Sequence, residues 1–294
     1  YYMVITIPSD FSENASTLMD DEPKKMELQY ATNPGTNYIA SKMSETALAK
    51  IQKEVSESVT KEYTETIFDQ MGTVGDGMCN VSLGTSGTVF ISSNKFGVDS
   101  HNALHAFAHA DGHYHLMGCM LSAASCNKWW MDEIIRTKEY TKEQENITKL
   151  GENNVFFLPY LMGERSPHNN PDARGTFIGL TMDTTREDMT QAVLEGVAFA
   201  IRDSFEVAKS LGIQIERTKI CGGGAKSPLW KKMIANIMNL KVDVIESEEG
   251  PALGGAMLAA VANGEFASVE DAAAKIVKVV DTVEPDPALV AKYE

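Results

Sequence analysis

Apolar and polar positions alternate with a helical period most clearly over residues 184–211, where Val193, Val197, Ala200, Ile201, Phe205 and Ala208 recur on one face. Thr184-Thr-Arg-Glu-Asp opens this run with capping hydroxyls and with first-turn carboxylates that complement the helix dipole, and Gly212 closes it. A long amphipathic helix is therefore expected, with that stripe as core. Shorter patterns predict helices over 116–135, 229–240, 249–260 and 268–276, and strands over 78–83, 215–220 and 241–246. Further strands are expected at the start of 155–168 and over 174–181. A last, unfinished helix follows Asp286. Residues 1–70 are polar and show no core pattern beyond a drawable helix at 43–59, with Ala47, Ile51 and Val55 on one side, and a turn at 33–36.

Two stretches break the pattern with small residues. The first strand at 78–83 is followed by Gly84-Thr-Ser-Gly-Thr-Val-Phe-Ile91, which reads as a β-hairpin whose tip offers backbone N–H groups and the hydroxyls of Thr85, Ser86 and Thr88 to an anion. An ordinary hairpin with small turn residues fits the same pattern. In the second, the strand ending at Ile220 runs into Gly222, Gly223 and Gly224. Ser227 then supplies an N-cap oxygen and Pro228 fits the first helical position. A nucleotide approaching the glycines and a bare tight turn are both compatible with it.

At 294 residues the chain is long enough for a full core in one or two domains. Its formal charge of −15 argues against an extended nucleic-acid or anionic-membrane surface, while leaving room for a local phosphate pocket. No apolar run approaches a membrane span. Cys79, Cys119, Cys126 and Cys221 have neither metal-ligand nor disulfide spacing and read as buried thiols of a cytoplasmic protein. Histidines recur every four residues between His101 and His115, but no acidic or thiol partner stands at ligand spacing, and Asp111-Gly112 breaks any common helix face. They are expected in strands and turns, and no metal site is expected. Trp129 and Trp130 read as core or interface anchors. Glu164 and Arg165 read either as ligand-binding groups or as a surface ion pair with each other.

Taken together, Phe157-Leu-Pro-Tyr-Leu-Met-Gly-Glu-Arg-Ser-Pro-His-Asn-Asn-Pro171, Ala173-Arg-Gly-Thr-Phe-Ile-Gly-Leu-Thr181, Leu194-Glu-Gly-Val-Ala-Phe199, Cys221-Gly-Gly-Gly-Ala-Lys-Ser-Pro-Leu-Trp230 and Gly250-Pro-Ala-Leu-Gly-Gly-Ala256 resemble the FGGY carbohydrate kinase family in order and spacing. The resemblance runs from Gly72 nearly to the end. It implies an α/β, actin-like ATPase (ribonuclease H-like) domain with a mixed sheet flanked by helices, formed by residues 71–294. Residues 1–70 would be a remnant of the family's N-terminal domain or an interdomain segment.

The activity implied is ATP-dependent phosphorylation of a ketopentose, D-xylulose before ribulose, gluconate or glycerol, with Mg2+; a catalytically silent nucleotide-binding module is the alternative. The partners implied are a small-molecule sugar and, as an open option, a second copy of the chain in a homodimer, with no nucleic acid and no membrane. By the same resemblance Gly84, Thr85, Ser86 and Gly87 correspond to the second phosphate loop, and Gly222, Gly223, Gly224 and Ala225, with Ser227 and Trp230, to the adenosine motif. The family's first phosphate loop, of Asp-x-Gly-Thr type, has no counterpart here. Its catalytic aspartate has only Asp69 as a candidate, in Phe68-Asp-Gln70, closer to Gly84 than the family spacing. Thr17-Leu-Met-Asp20 faintly echoes a helix late in the family's first domain. These departures give the expectation of a piece of a longer protein.

Overall fold

The computed structural model describes residues 3–6, 29–32, 73, 75–246 and 250–294. The chain divides into two compact units, Tyr1–Thr64 and Glu65–Glu294. In the first, β1 (Met3–Thr6) and β2 (Gln29–Thr32) pair antiparallel, with Met3 opposite Thr32. The expected helix at 43–59, the turn at 33–36, the Thr17–Asp20 echo and Asp69 all lie outside the described residues.

The second unit is built on a seven-stranded sheet. Its strands are β3 (Cys79–Leu83), β4 (Gly87–Ser93), β5 (His105–Ala108), β6 (Tyr114–Met120), β9 (Arg217–Cys221), β10 (Lys241–Ile245) and β11 (Val279–Val283). The order is β11-β10-β9-β3-β4-β6-β5. The three central strands β10, β9 and β3 are parallel, and the remaining pairs are antiparallel. A separate two-stranded ribbon joins β7 (Phe156–Leu158) to β8 (Thr176–Ile178).

Side chains leave a strand on alternate faces, so neighbouring residues report two different cores. Val81, Leu83, Ile220 and Val242 belong to the large cluster beneath the long helix α3 (Arg186–Ser210), which supplies Val193, Val197, Ala200, Ile201, Phe205 and Ala208. The helix begins as its sequence predicts, one residue later: Thr185 accepts from the Asp188 N–H while the Asp188 carboxylate accepts from the Thr185 N–H. Beside it lies α4 (Pro228–Met238), whose Trp230 is 1% exposed and donates its ring N–H to the Leu194 carbonyl at 2.9 Å. On the opposite face Cys221 and Ile245 form a smaller cluster with Leu253 of α5 (Gly250–Ala262) and with Val277, just beyond α6 (Val269–Ile276). A final helix, α7 (Pro287–Tyr293), continues the large core through Tyr293.

One expectation is corrected, and two further elements arise in segments where the sequence marks none. The helix expected over 116–135 is instead the strand β6, a connection at 121–123, the short helix α1 (Ala124–Trp129) and a π turn at Trp130–Ile134. β6 has no clean alternation because Leu116 and Met120 face the large core while His115 stacks on Phe90 at 3.8 Å on the other side. Both faces are covered, which erases the period-two signal. The charged connector after Lys138 contains a helix, α2 (Tyr140–Glu145), and β11 joins the sheet edge from a segment without a strand pattern. The histidines do lie in strands (His105, His115) and around the turn at Asp111-Gly112 (His109, His113). Among the described residues no helix is long and apolar enough to cross a membrane.

Candidate functional site

β3, β9 and β10 run parallel, and the small-residue stretches lie just beyond their carboxyl ends, where open α/β sheets form crevices. Ser82 pairs with Cys221, so the hairpin tip after Leu83 and the glycines after Cys221 leave the sheet side by side. The contact is direct. A Cβ placed on Gly222 would stand 2.8 Å from the Leu83 carbonyl carbon and oxygen and 3.1 Å from the Gly84 nitrogen. One placed on Gly224 would meet Leu83 Cδ2 at 2.5 Å. The two stretches that the sequence marks separately are thus one continuous feature.

The three consecutive glycines do different things. Gly222 has φ of +88° and is both conformationally and sterically confined to glycine. Gly224 is buried against Leu83 and Trp230. Gly223 has an ordinary φ, and nothing lies within 4 Å of where its Cβ would be. A short 3-10 turn carries Gly223–Lys226 into α4, and Ser227 accepts from the Trp230 N–H at 3.1 Å while donating to Gln144 Oε1 at 2.5 Å. The Ser227 hydroxyl is therefore occupied as a helix cap and a tie to α2. Trp230 is a core residue, not a platform for a purine ring.

At the hairpin, Leu83 pairs with Gly87, leaving Gly84, Thr85 and Ser86 as the tip. No positive φ is used there, and Gly87 is confined by space instead: a Cβ on it would meet Met120 Cγ at 2.6 Å and Ala123 Cβ at 3.1 Å. The tip's carbonyls face the start of α1. Gly84 O accepts from the Ala124 N–H at 2.8 Å, and Thr85 O accepts from the Ala123 N–H at 3.0 Å and the Ser125 hydroxyl at 2.7 Å. Among the described residues the N–H groups of Thr85 and Ser86 and the two hydroxyls have no hydrogen-bond partner, and Thr85 is exposed. That is the donor set an oxyanion requires.

Behind this junction lies Glu164, for which the surface ion pair with Arg165, one of its two readings, is overturned. Glu164 is 2% exposed, and it pairs with neither the surface nor the Arg165 guanidinium. Its Oε1 accepts from the Leu121 N–H at 3.0 Å and the Arg165 N–H at 2.8 Å, while Oε2 is buried without a partner. Burial pushes its pKa up to about 7 against the pull of those two amides. Arg165 instead reaches His105, Nε to Nε2 at 3.2 Å. Burial also raises the Cys126 thiol to about 12, with the Glu164 charge adding to it. Only the spacing Met-Gly-Glu-Arg-Ser-Pro hinted at a role, and nothing in it showed which way the carboxylate points.

The residues match the model of the FGGY family of carbohydrate kinases, C-terminal domain, over residues 79–263. Xylulose kinase of Escherichia coli K12 is 40% identical over 209 residues, 68% of this chain and 43% of that protein. Xylulose kinase of Lactococcus lactis is 29% identical over 98% of this chain and 61% of its own length. Among solved structures, the Brucella ovis "xyloylose kinase" superposes with a TM-score of 0.71 at 37% identity, over 79% of this chain and 48% of that one. The chain belongs to the FGGY family of carbohydrate kinases, and its mixed sheet with flanking helices is the actin-like ATPase fold of those enzymes. It spans about half the length of the curated relatives it matches.

Proposed function

We propose that this chain forms the nucleotide-holding part of an ATP-dependent kinase that phosphorylates D-xylulose. The observation that carries the reading is the fusion of the two small-residue loops at the ends of β3 and β9, with unpartnered donors at Thr85 and Ser86 and open space above Gly223. In this reading the phosphates of ATP lie against Gly84–Gly87 and the adenosine against Gly222–Ala225, while Ser227 shapes the second loop by capping α4. The shared name of the relatives, xylulose kinase, supports the ketopentose as acceptor. Residues 71–294 make up the nucleotide domain, and residues 1–70 belong to what precedes it.

The chemistry is in-line transfer. The sugar hydroxyl oxygen attacks the γ-phosphorus, its proton passes to a carboxylate, and ADP departs. Asp69 is the assigned acceptor of that proton. The hairpin's N–H and hydroxyl donors hold phosphate oxygens, and the buried layer beneath them keeps them from reorienting. Mg2+ would enter with the nucleotide and offset the charge on its phosphates.

Calorimetric titration of ADP tests the site. Gly223→Val is expected to weaken ADP by at least about tenfold, the scale of one steric conflict, with an unchanged unfolding midpoint. Unchanged affinity removes the assignment. In the longer protein, Asp69→Asn is expected to keep ADP affinity and abolish xylulose-dependent turnover; turnover near wild type places the base elsewhere.

A further inference from the structure

The start of α1 lacks the usual side-chain cap: Ala123 stands at the N-cap, and no side chain accepts its first-turn amides. The hairpin tip takes that place, through Gly84 O and Thr85 O. Wherever the first turn of α1 goes, the tip must follow. Leu121, in the connection three residues before that turn, is held by its N–H on Glu164 Oε1.

The Glu164 segment is itself anchored. Ser166 N–H donates to Cys119 O at 2.9 Å, Glu164 and Asn170 exchange backbone hydrogen bonds at 2.9 and 2.8 Å, and the Cys126 thiol donates to Pro159 O at 3.4 Å. A buried carboxylate is costly, and an apolar side chain would pack as well by volume. What an apolar side chain lacks is an acceptor for two buried amides. We propose that Glu164 is a positioning residue for the hairpin tip Gly84–Gly87, acting through the Leu121 amide and the first turn of α1. This rests on the nucleotide reading above and deepens it: Glu164 touches no ligand, and its effect is confined to the phosphate half of the site.

The test titrates ADP and adenosine into the wild-type chain, Glu164→Ala and Glu164→Gln. Alanine leaves two amides without an acceptor and is expected to weaken ADP by about tenfold or more, with adenosine unchanged. Glutamine retains an acceptor oxygen and is expected to restore ADP affinity to within about threefold of wild type, a tolerance well under the tenfold step. The proposal fails if Glu164→Ala keeps its ADP affinity, if adenosine weakens in parallel, or if glutamine is no better than alanine. Should Glu164→Ala not fold, amide hydrogen exchange at Leu121 in Glu164→Gln decides. Faster exchange accompanied by weaker ADP binding supports the coupling, and a change in one without the other overturns it. A wild-type chain that binds neither ADP nor adenosine overturns the nucleotide reading itself, and this inference with it.

Discussion

The glycine stretch after β9 and the hairpin tip after β3 use the same residue types next to each other, yet different forces fix them. The first turns on its own backbone: Gly222 takes a conformation closed to other residues, and the 3-10 turn and the Ser227 cap come next in the chain. The second is set from outside, by helix amides that hold its carbonyls and by Met120 and Ala123 beneath Gly87. A loop of the first kind is most sensitive at the residue that makes its turn, Gly222. A loop of the second kind depends on its support.

Gly222→Ala puts the largest strain on this difference. A Cβ there meets two backbone atoms at 2.8 Å that have no rotamer to give way, and the φ of +88° is itself unfavourable for alanine. Each effect is of the order of 1–3 kcal/mol, so a loss of about 2 kcal/mol or more is expected in urea unfolding. A loss under about 1 kcal/mol would show that the β3–β9 contact yields, and that the stretch is no more self-determined than the hairpin.

The support of the hairpin has its own signature in pH. The pKa of Glu164 is raised from 4.5 to about 7 in the folded chain, so between these values the folded state holds a proton that the unfolded state has lost. Stability from this group is full below about pH 4.5 and is lost as pH rises through 7. Glu164→Gln removes the titration, so its stability relative to wild type should improve by about 2–3 kcal/mol between pH 4.5 and 8. Paired unfolding curves at the two pH values measure this, and a difference independent of pH would mean that the carboxylate is solvated.

How far the sequence disclosed these features follows from where the information lies. The long helix, its Thr185 box, the hairpin and the Ser227-Pro228 start are local, encoded in residues a few positions apart, and they lie within a residue or two of expectation. The strand β6 was hidden because it is covered on both faces, and β11 because an edge strand with exposed Val279 and Val280 carries no core pattern. Glu164 was hidden for a third reason. A Glu-Arg dipeptide looks like surface charge, and its burial depends on Leu121, forty-three positions away. In the candidate site, the glycine positions were legible, while their separate reasons were not.

Gly223 is the smallest effect expected on the fold and the cleanest on the site. Its φ is ordinary, nothing lies within 4 Å of its missing Cβ, and it occupies a single 3-10 turn, where alanine is at no disadvantage. The unfolded chain also loses freedom when glycine is replaced, which favours the folded state slightly. Gly223→Ala is therefore expected to change stability by no more than about 0.5 kcal/mol, in either direction. A larger loss in the same urea experiment would mean that a neighbour of Gly223 requires the glycine for the fold. If stability holds, the space above Gly223 is not needed by any described part of the chain, and the difference from Gly222, one residue away, separates the glycine that makes the turn from the one that leaves room beside it.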